Sequence, residues 1–365
     1  MRGKQFTTAL QQVISMKKVI LFVHNSVGGA ERMTVLIGRM LSSNGFEVSF
    51  YVVNQGHPTS NITDFIPKVF NVVSIPESNP IKLIKRIYSI LKVVKPNYVF
   101  SSALLINDKI LPLRWLFPKI KFIIRCENYL YTFSTKQKVV IALLYRLADN
   151  IIAQTQEMKD ELVEESKIKA SKIVVLENPI DTKRIIDGTK DGVNPYQEID
   201  KKIIVASGRI CYQKGFDLLV EAFSLLCKER EDVLLFILGD DSNKEEFKKV
   251  SDIALKYGIL VKISFMGFKT NPYPYIKYAD CFALSSRWEG LPNVLIESLY
   301  LGTPVAAMAC IPIIRRIISE GVDGFTADKE DVEGFAAAIN NTLELGRVTS
   351  SYKGSTPEDF VNLFN

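Results

Sequence analysis

The sequence predicts an α/β protein of two doubly wound domains in tandem, and three observations carry that expectation. Short, continuously apolar segments alternate with amphipathic helical ones along almost the whole chain. The alternation pauses in a polar stretch containing Gly and Pro, TKRIIDGTKDGVNPYQEIDKK at 182–202, and then begins afresh. The 365 residues are long for one core of this kind and comfortable for two.

Taken in order, KKVILFV (17–23) reads as the first strand. In GGAERMTVLIGRMLSSNG, Met33, Leu36, Ile37, Met40 and Leu41 recur at helical spacing until Gly45 ends the helix. FEVSFYVV (46–53), YVFSS, KFIIRC and NIIAQT continue the strands to about residue 155, and KIVVLENPID (172–181) closes the set. KIIVASGRI (202–210) opens the second set, followed by VLLFILGDD, KISFMGF, DCFALSS and TPVAAM. Continuous apolar strands joined by helices imply parallel sheets covered on both faces. The expected boundaries are an extension at 1–15, a first domain at 16–190, a second at 191–345 and a C-terminal segment at 346–365. In that last segment PEDFVNLFN is expected to form a helix that packs back on the first domain. Open sheets bind ligands beyond the carboxyl ends of their strands, so chemistry is expected in the loops that follow strands, around a cleft between the domains.

Composition narrows the function. With 47% hydrophobic and 24% charged residues the chain has an ordinary globular profile. Only His24 and His57 are present, too few for a His-rich metal site and a poor basis for a His-centred triad. Five scattered cysteines without a C-x-x-C pair suit reduced thiols in a cytoplasm. Residues 1–15 lack an apolar core next to a small-residue cleavage site, so no signal peptide is expected, and no function is assigned to them. Net charge is +6, with 46 Lys and Arg against 40 Asp and Glu. That excess fits first of all a solvated surface; the functional reading beside it is attraction to nucleotide phosphates or an anionic membrane. It concentrates in PIKLIKRIYSILKVVKP (80–96), where Lys82, Lys85, Arg86, Lys92 and Lys95 alternate with Ile and Leu as in a basic amphipathic helix.

Three loops stand out. In HNSVGGAER (24–32), Gly28 and Gly29 follow a strand and open a helix, which suits close approach of an anion or simply a tight turn. In SGRICYQKGFDLLVEAF (207–223), Arg209 and Lys214 lie in a strand-to-helix connection whose helix buries Phe216, Leu219, Val220 and Phe223. Two cations over a helix N-terminus suit a diphosphate, Arg as a fork and Lys as a point charge. In SSRWEGLPNVLIESLYLGTPVA (285–306), Glu289 precedes a helix and Glu297 lies inside it. Pro292 is expected in the first turn, and Val294, Leu295, Ser298 and Leu299 on the inward face. Asn293 and Glu297, four apart, share one stripe, so two acids can grip two parts of a long polar ligand.

R-x(4)-K-G, then E-G-x-P-N-x(3)-E, then G-T-P, in this order and on these elements, resembles the glycosyltransferases of family 4 with the GT-B fold. The resemblance runs from Met16 to about residue 345, with GGAER, NPID (178–181) and VDGF (322–325) in support. It implies two Rossmann-like domains facing a central cleft, and a retaining transfer without metal or cofactor from a nucleotide-sugar donor. Arg209 and Lys214 would neutralise the donor's diphosphate. Glu289 would contact the donor sugar and Glu297 the ribose hydroxyls. Backbone amides from Gly290 through Leu291, Pro292 and Asn293 to Val294 would hold sugar and phosphate oxygens, with Gly28 and Gly29 also on the donor. The loop after FMG would flank the base with Phe268 and Lys269. Arg316 departs from the family pattern, standing about where an acid is usual. Where many relatives carry a histidine, the first domain offers IIRCENY, so Arg125, Glu127 and Asn128 are expected on the acceptor side, Glu127 among the catalytic groups.

The expected partners are a nucleotide-sugar donor and a glycan or lipid-linked acceptor, with peripheral contact at the cytoplasmic face of the inner membrane and no nucleic acid. Three rivals remain. An epimerase of the same fold needs histidines and acids for proton transfer. A nicotinamide oxidoreductase needs G-x-G-x-x-G after the first strand, which HNSVGGAER lacks. A non-catalytic sugar-nucleotide binder does not need both Glu289 and the Arg209/Lys214 pair.

Overall fold

The computed structural model describes residues 16–54, 61–240 and 242–365, so the extension at 1–15, His57 and Asp241 lie outside the described residues. The chain divides into two units, 1–177 with 355–365, and 178–354.

The first unit holds a parallel seven-stranded sheet in the order β3-β2-β1-β4-β5-β6-β7. Its strands are β1 (Lys18–His24), β2 (Glu47–Val53), β3 (Asn71–Ile75), β4 (Tyr98–Ser101), β5 (Lys121–Arg125), β6 (Asn150–Ala153) and β7 (Ile173–Val175). Its helices are α1 (Gly29–Ser43), α2 (Pro80–Val94), α3 (Leu104–Ile110), α4 (Thr135–Leu144) and α5 (Gln156–Glu164). β1 lies inside the sheet between β2 and β4, and its Ile20, Leu21 and Phe22 are apolar on both faces, both of them buried. All five apolar residues expected on α1 are buried. Helix α2 starts where Asn79 accepts from the backbone N–H groups of Ile81 and Lys82, with Pro80 in the first turn.

The second unit has a parallel six-stranded sheet, β10-β9-β8-β11-β12-β13. Its strands are β8 (Lys202–Ser207), β9 (Val233–Leu238), β10 (Ile263–Phe265), β11 (Cys281–Leu284), β12 (Val305–Met308) and β13 (Gly324–Ala327). Its helices are α6 (Thr182–Gly188), α7 (Phe216–Glu229), α8 (Lys244–Lys256), α9 (Tyr273–Lys277), α10 (Asn293–Tyr300), α11 (Ile314–Ile317) and α12 (Val332–Thr342). Phe216, Leu219, Val220 and Phe223 of α7 enter its core. The final helix, α13 (Pro357–Asn362), belongs to the first unit. There Phe364 packs against Phe46, Tyr98 and Phe100 at 5.3–6.3 Å between ring centroids.

Several details differ from the sequence expectation. Residues 178–190 form part of the second unit, so the division falls after Glu177. Ile185 of α6 is buried, and Tyr196, also buried, packs 4.9 Å from Phe236 and donates to the Tyr275 carbonyl. Aromatic contacts across long sequence separations thus make structure out of a segment that reads as a linker. Residues 346–354 likewise belong to the second unit. The edge strands β3 and β13 escape the apolar-run criterion because each is half-exposed and short. Pro292 caps α10 from outside, and Ile296 is buried where Val294 is half-exposed. Among the described residues no helix is long and apolar enough to cross a membrane.

Candidate active site

β8 and β11 are parallel neighbours, so the loops 208–215 and 285–292 leave the same carboxyl edge of the second sheet. Gly215 brings them together. Its φ of +61° suits glycine, and a Cβ there would stand 2.2 Å from the Ser285 carbonyl oxygen. Hydrogen bonds then join the two loops. Ser285 Oγ donates to the Lys214 carbonyl at 2.9 Å, the Arg287 amide to the Gln213 carbonyl at 2.8 Å, and Gln213 Nε2 to the Trp288 carbonyl at 3.1 Å.

The result is a direct ion pair, Lys214 Nζ to Glu289 Oε1 at 2.5 Å, with Ser286 Oγ donating to the same oxygen at 2.6 Å. Glu289 is buried and Lys214 half-buried, so the pair sits in reduced dielectric at the mouth of the loops. Arg209 is exposed, and among the described residues its Nη2 makes a long 3.5 Å bond to Gln213 Oε1. Cys310, in the loop after β12, lies close by: burial pushes its thiol up to about 12, and the Glu289 charge adds to the effect. Gly290, Leu291 and Pro292 are buried, and Asn178 Nδ2 donates to Asn293 Oδ1 at 2.5 Å, fixing the start of α10. Glu297 lies one turn on and accepts from Tyr273 Oη at 3.2 Å, while Arg184 stacks on the Tyr273 ring at 5.5 Å. Phe268 is exposed, and Lys269 stands over the Tyr275 ring at 5.5 Å. Arg316 is exposed on α11.

A second set of residues stiffens this site. The buried Arg287 forks onto Asp217 with two bonds of 2.8 Å, donates to the Tyr212 carbonyl at 2.8 Å and to Glu330 at 3.1 Å, and lies 4.0 Å from the Tyr212 ring. Lys249 completes the pairing of Asp217 at 2.7 Å. Burial alone would raise the Asp217 carboxyl, but the bonds from Arg287 and Lys249 outweigh it and hold it at about 2.

In the first unit, Gly28 caps α1 without a side-chain partner, and Gly29 begins the helix. Glu31 fills the first turn and accepts from Ser26 Oγ at 2.9 Å, so an acid already complements that helix end. At the end of β5, Arg125 is buried and donates to Gln154 Oε1 at 2.6 Å. Gln154 Nε2 in turn holds the carbonyls of Cys126 and Glu127 at 3.0 and 2.8 Å, and Asn128 follows, half-buried. Burial lowers Arg125 to about 10 against the pull of Glu127 and Glu31. Burial also lifts the Glu127 carboxyl to about 8, with the Glu31 charge adding and Arg125 opposing. Among the described residues no group of three or more His, Cys, Asp or Glu is placed to hold a metal ion.

The structure therefore unites Lys214 with Glu289, places Glu297 one helical turn away, and sets Arg125, Glu127 and Asn128 along one loop of the other unit. Sequence reading missed Arg287, Asp217, Ser286, Tyr273 and Gln154, and gave Asn178 no role beyond its place in NPID. Asp217 reads as an ordinary first-turn acid of α7, and Gln154 as the polar end of a strand, so neither gave a signal.

Two family models match the chain, one for Glycosyltransferase Family 4 over residues 27–184 and one for Glycosyl transferases group 1 over residues 194–355. Over 362 residues the chain is 26% identical to the N-acetylgalactosamine-N,N'-diacetylbacillosaminyl-diphospho-undecaprenol 4-alpha-N-acetylgalactosaminyltransferase of Campylobacter jejuni, covering 93% of each. It is 25% identical over 348 residues to the amylovoran biosynthesis glycosyltransferase AmsD of Erwinia amylovora, covering 92% of this chain and 93% of the relative. Among solved structures, HepE of Anabaena in complex with UDP-glucose superposes with a TM-score of 0.75 at 17% identity, covering 90% of each chain.

Proposed function

The chain belongs to the family 4, group 1 glycosyltransferases, and from that membership we propose a retaining, metal-independent transfer of a sugar from a nucleoside diphosphate donor to an acceptor hydroxyl. The observation that carries this reading is the Lys214–Glu289 pair at the joined loops of the second unit. Lys214 has three donors and can serve Glu289 and a phosphate oxygen together. Arg209, exposed beside it, is the fork for the diphosphate. Glu289 accepts from donor-sugar hydroxyls, the amides from Gly290 to Val294 hold its oxygens, and Glu297 holds the ribose. As the donor bond breaks, charge builds on the leaving diphosphate, and cations already in place stabilise it without reorganisation.

Relatives named for a diphospho-undecaprenol acceptor and for amylovoran biosynthesis favour a lipid-linked glycan or surface polysaccharide as the product. The acceptor side falls to Arg125, Glu127 and Asn128 of the first unit. Uridine is the favoured base, supported by the UDP-glucose bound to the Anabaena neighbour. The reading is tested by thermal shift against UDP, GDP, ADP and their sugars, with and without EDTA. One nucleoside diphosphate at 100 times its dissociation constant should stabilise the protein by about 2.7 kcal/mol. The shift and the transfer rate should both survive EDTA. No shift with any nucleotide removes the donor assignment, and turnover that vanishes in EDTA and returns with magnesium removes metal independence.

Glu127 gives a pH prediction. Its folded pKa of about 8 lies above the ordinary 4.5, so the folded chain keeps a proton that the unfolded chain releases. Stability therefore falls as pH rises from 4.5 to about 8. Glu127→Gln stays neutral and should gain stability relative to wild type across that window. If Glu127 is the acceptor's base, wild-type turnover climbs toward pH 8 and Glu127→Gln is slow throughout. A Glu127→Gln enzyme with the wild-type rate and pH profile removes Glu127 from the chemistry.

A further inference from the structure

We propose that the face of the first unit formed by α2 and the adjoining turn Leu111–Leu116 docks on an anionic lipid surface, with Trp115 and Leu116 entering the headgroup region. The inference rests on the reading of the acceptor as lipid-linked.

Helix α2 carries Lys82, Lys85, Arg86 and Lys92, with Lys95 at its end, and has no acidic residue among its 15. Its buried stripe of Leu83, Ile87, Ile90 and Leu91 faces the core, which turns Lys85 and Lys92 outward. Ile81 on the same outer side is 66% exposed. The second half of the patch is the turn Leu111–Leu116, where Trp115 is 78% and Leu116 61% exposed.

Two contacts make one surface of these parts. The Tyr88 ring of α2 packs 5.5 Å from the Phe117 ring, fastening the helix to the turn. Arg114 forks onto Asp149 with bonds of 2.8 and 2.9 Å, which holds residue 114 inward while its neighbours 115 and 116 project. Cations flanking a projecting indole and leucine match the chemistry of a bilayer interface. Lysine stems lie along apolar surface with their heads in the phosphate layer, and tryptophan prefers the headgroup depth. A second copy of this chain on the same face would bring the two sets of α2 cations together, a like-charge contact.

The test uses the full chain with vesicles of phosphatidylcholine alone and of equal parts phosphatidylcholine and phosphatidylglycerol. Wild type should sediment with the anionic vesicles only, lose binding as salt rises, and show a blue shift in tryptophan emission. Removing one surface cation should cost about fivefold in partition, so Lys85→Gln with Lys92→Gln costs about 25-fold. Trp115→Ser should weaken binding and abolish the blue shift while Trp288 still emits. The proposal is overturned by absence of binding to anionic vesicles, by equal binding to both kinds, or by a double variant that partitions like wild type. A self-association of wild type that Trp115→Ser dissolves would also overturn it, giving the face to a second copy. Retained vesicle binding with equal transfer to a water-soluble oligosaccharide would uphold the docking face and remove only the lipid-linked acceptor.

Discussion

Lys214→Ala is expected to lower kcat/KM for donor by about 10²–10³, the cost of removing one preorganised donor from a developing anion. The substitution acts twice. It withdraws the positive charge proposed for the leaving diphosphate, and it strips the buried Glu289 of its 2.5 Å cation, leaving Ser286 as its partner. Lys214→Arg keeps the charge but replaces a compact ammonium with a planar fork, so it should recover part of the activity at best. Glu289→Gln separates the two effects, because the amide oxygen still accepts from Ser286 and Lys214 while the negative charge is gone. That variant should chiefly lower turnover, whereas Glu297→Gln, one turn deeper, should chiefly raise the KM for donor. Arg209→Ala should weaken nucleoside diphosphate binding far more than nucleoside binding. Steady-state kinetics on purified variants decide the matter. A Lys214→Ala enzyme within tenfold of wild type would take the lysine out of the chemistry. The reverse pattern for the two glutamates would mean that the donor lies in the opposite direction.

Arg287→Ala is expected to destabilise the second unit by about 3–5 kcal/mol, the cost of breaking a buried pair by deleting one partner. Arg287 and Asp217 are both buried, and the deletion removes a fork of two 2.8 Å bonds and leaves Asp217 with Lys249. It also removes the cation from the Tyr212 ring and the bond to the Tyr212 carbonyl, so the loop of Lys214 loses a tether to the loop of Glu289. Arg287→Lys cannot reproduce the fork and should restore stability only in part. The pH dependence follows from Asp217. Its folded pKa of about 2 is below the ordinary 3.8, so its contribution is present above 3.8 and is lost as pH falls from 3.8 toward 2. In Arg287→Ala that acid-side loss should shrink. Chemical denaturation followed by tryptophan emission in a Trp115→Ser background, where Trp288 beside Arg287 is the remaining indole, reports on this unit. A loss below about 1 kcal/mol would show that Lys249 by itself compensates the Asp217 charge and that the Arg287 fork is not needed for stability.

By itself the sequence determined the two parallel sheets, because strands buried on both faces are written as unbroken apolar runs and their helices as 3.6-residue periodicity. It also singled out Arg209, Lys214 and Glu289 in loops that follow strands and Glu297 in the helix behind them, the residues on which the proposed chemistry is built. The family was legible in those same motifs. Only the tertiary structure decided how these residues meet. The 2.5 Å contact of Lys214 with Glu289 joins positions 75 apart, and the pairing of Arg287 with Asp217 joins positions 70 apart, separations at which no local pattern operates. The division after Glu177 was hidden for the same reason: Ile185 and Tyr196 are ordinary residues in a polar stretch until Phe236 and Tyr275 are folded against Tyr196. Glu127 shows the limit most plainly. Its letter in the sequence is that of an ordinary carboxylate, and its pKa of about 8 comes from burial beside Glu31, a neighbour supplied by the parallel fold. Periodicity and spacing are properties of neighbouring residues, whereas desolvation and long-range ion pairing exist only once the sheet has closed around the group.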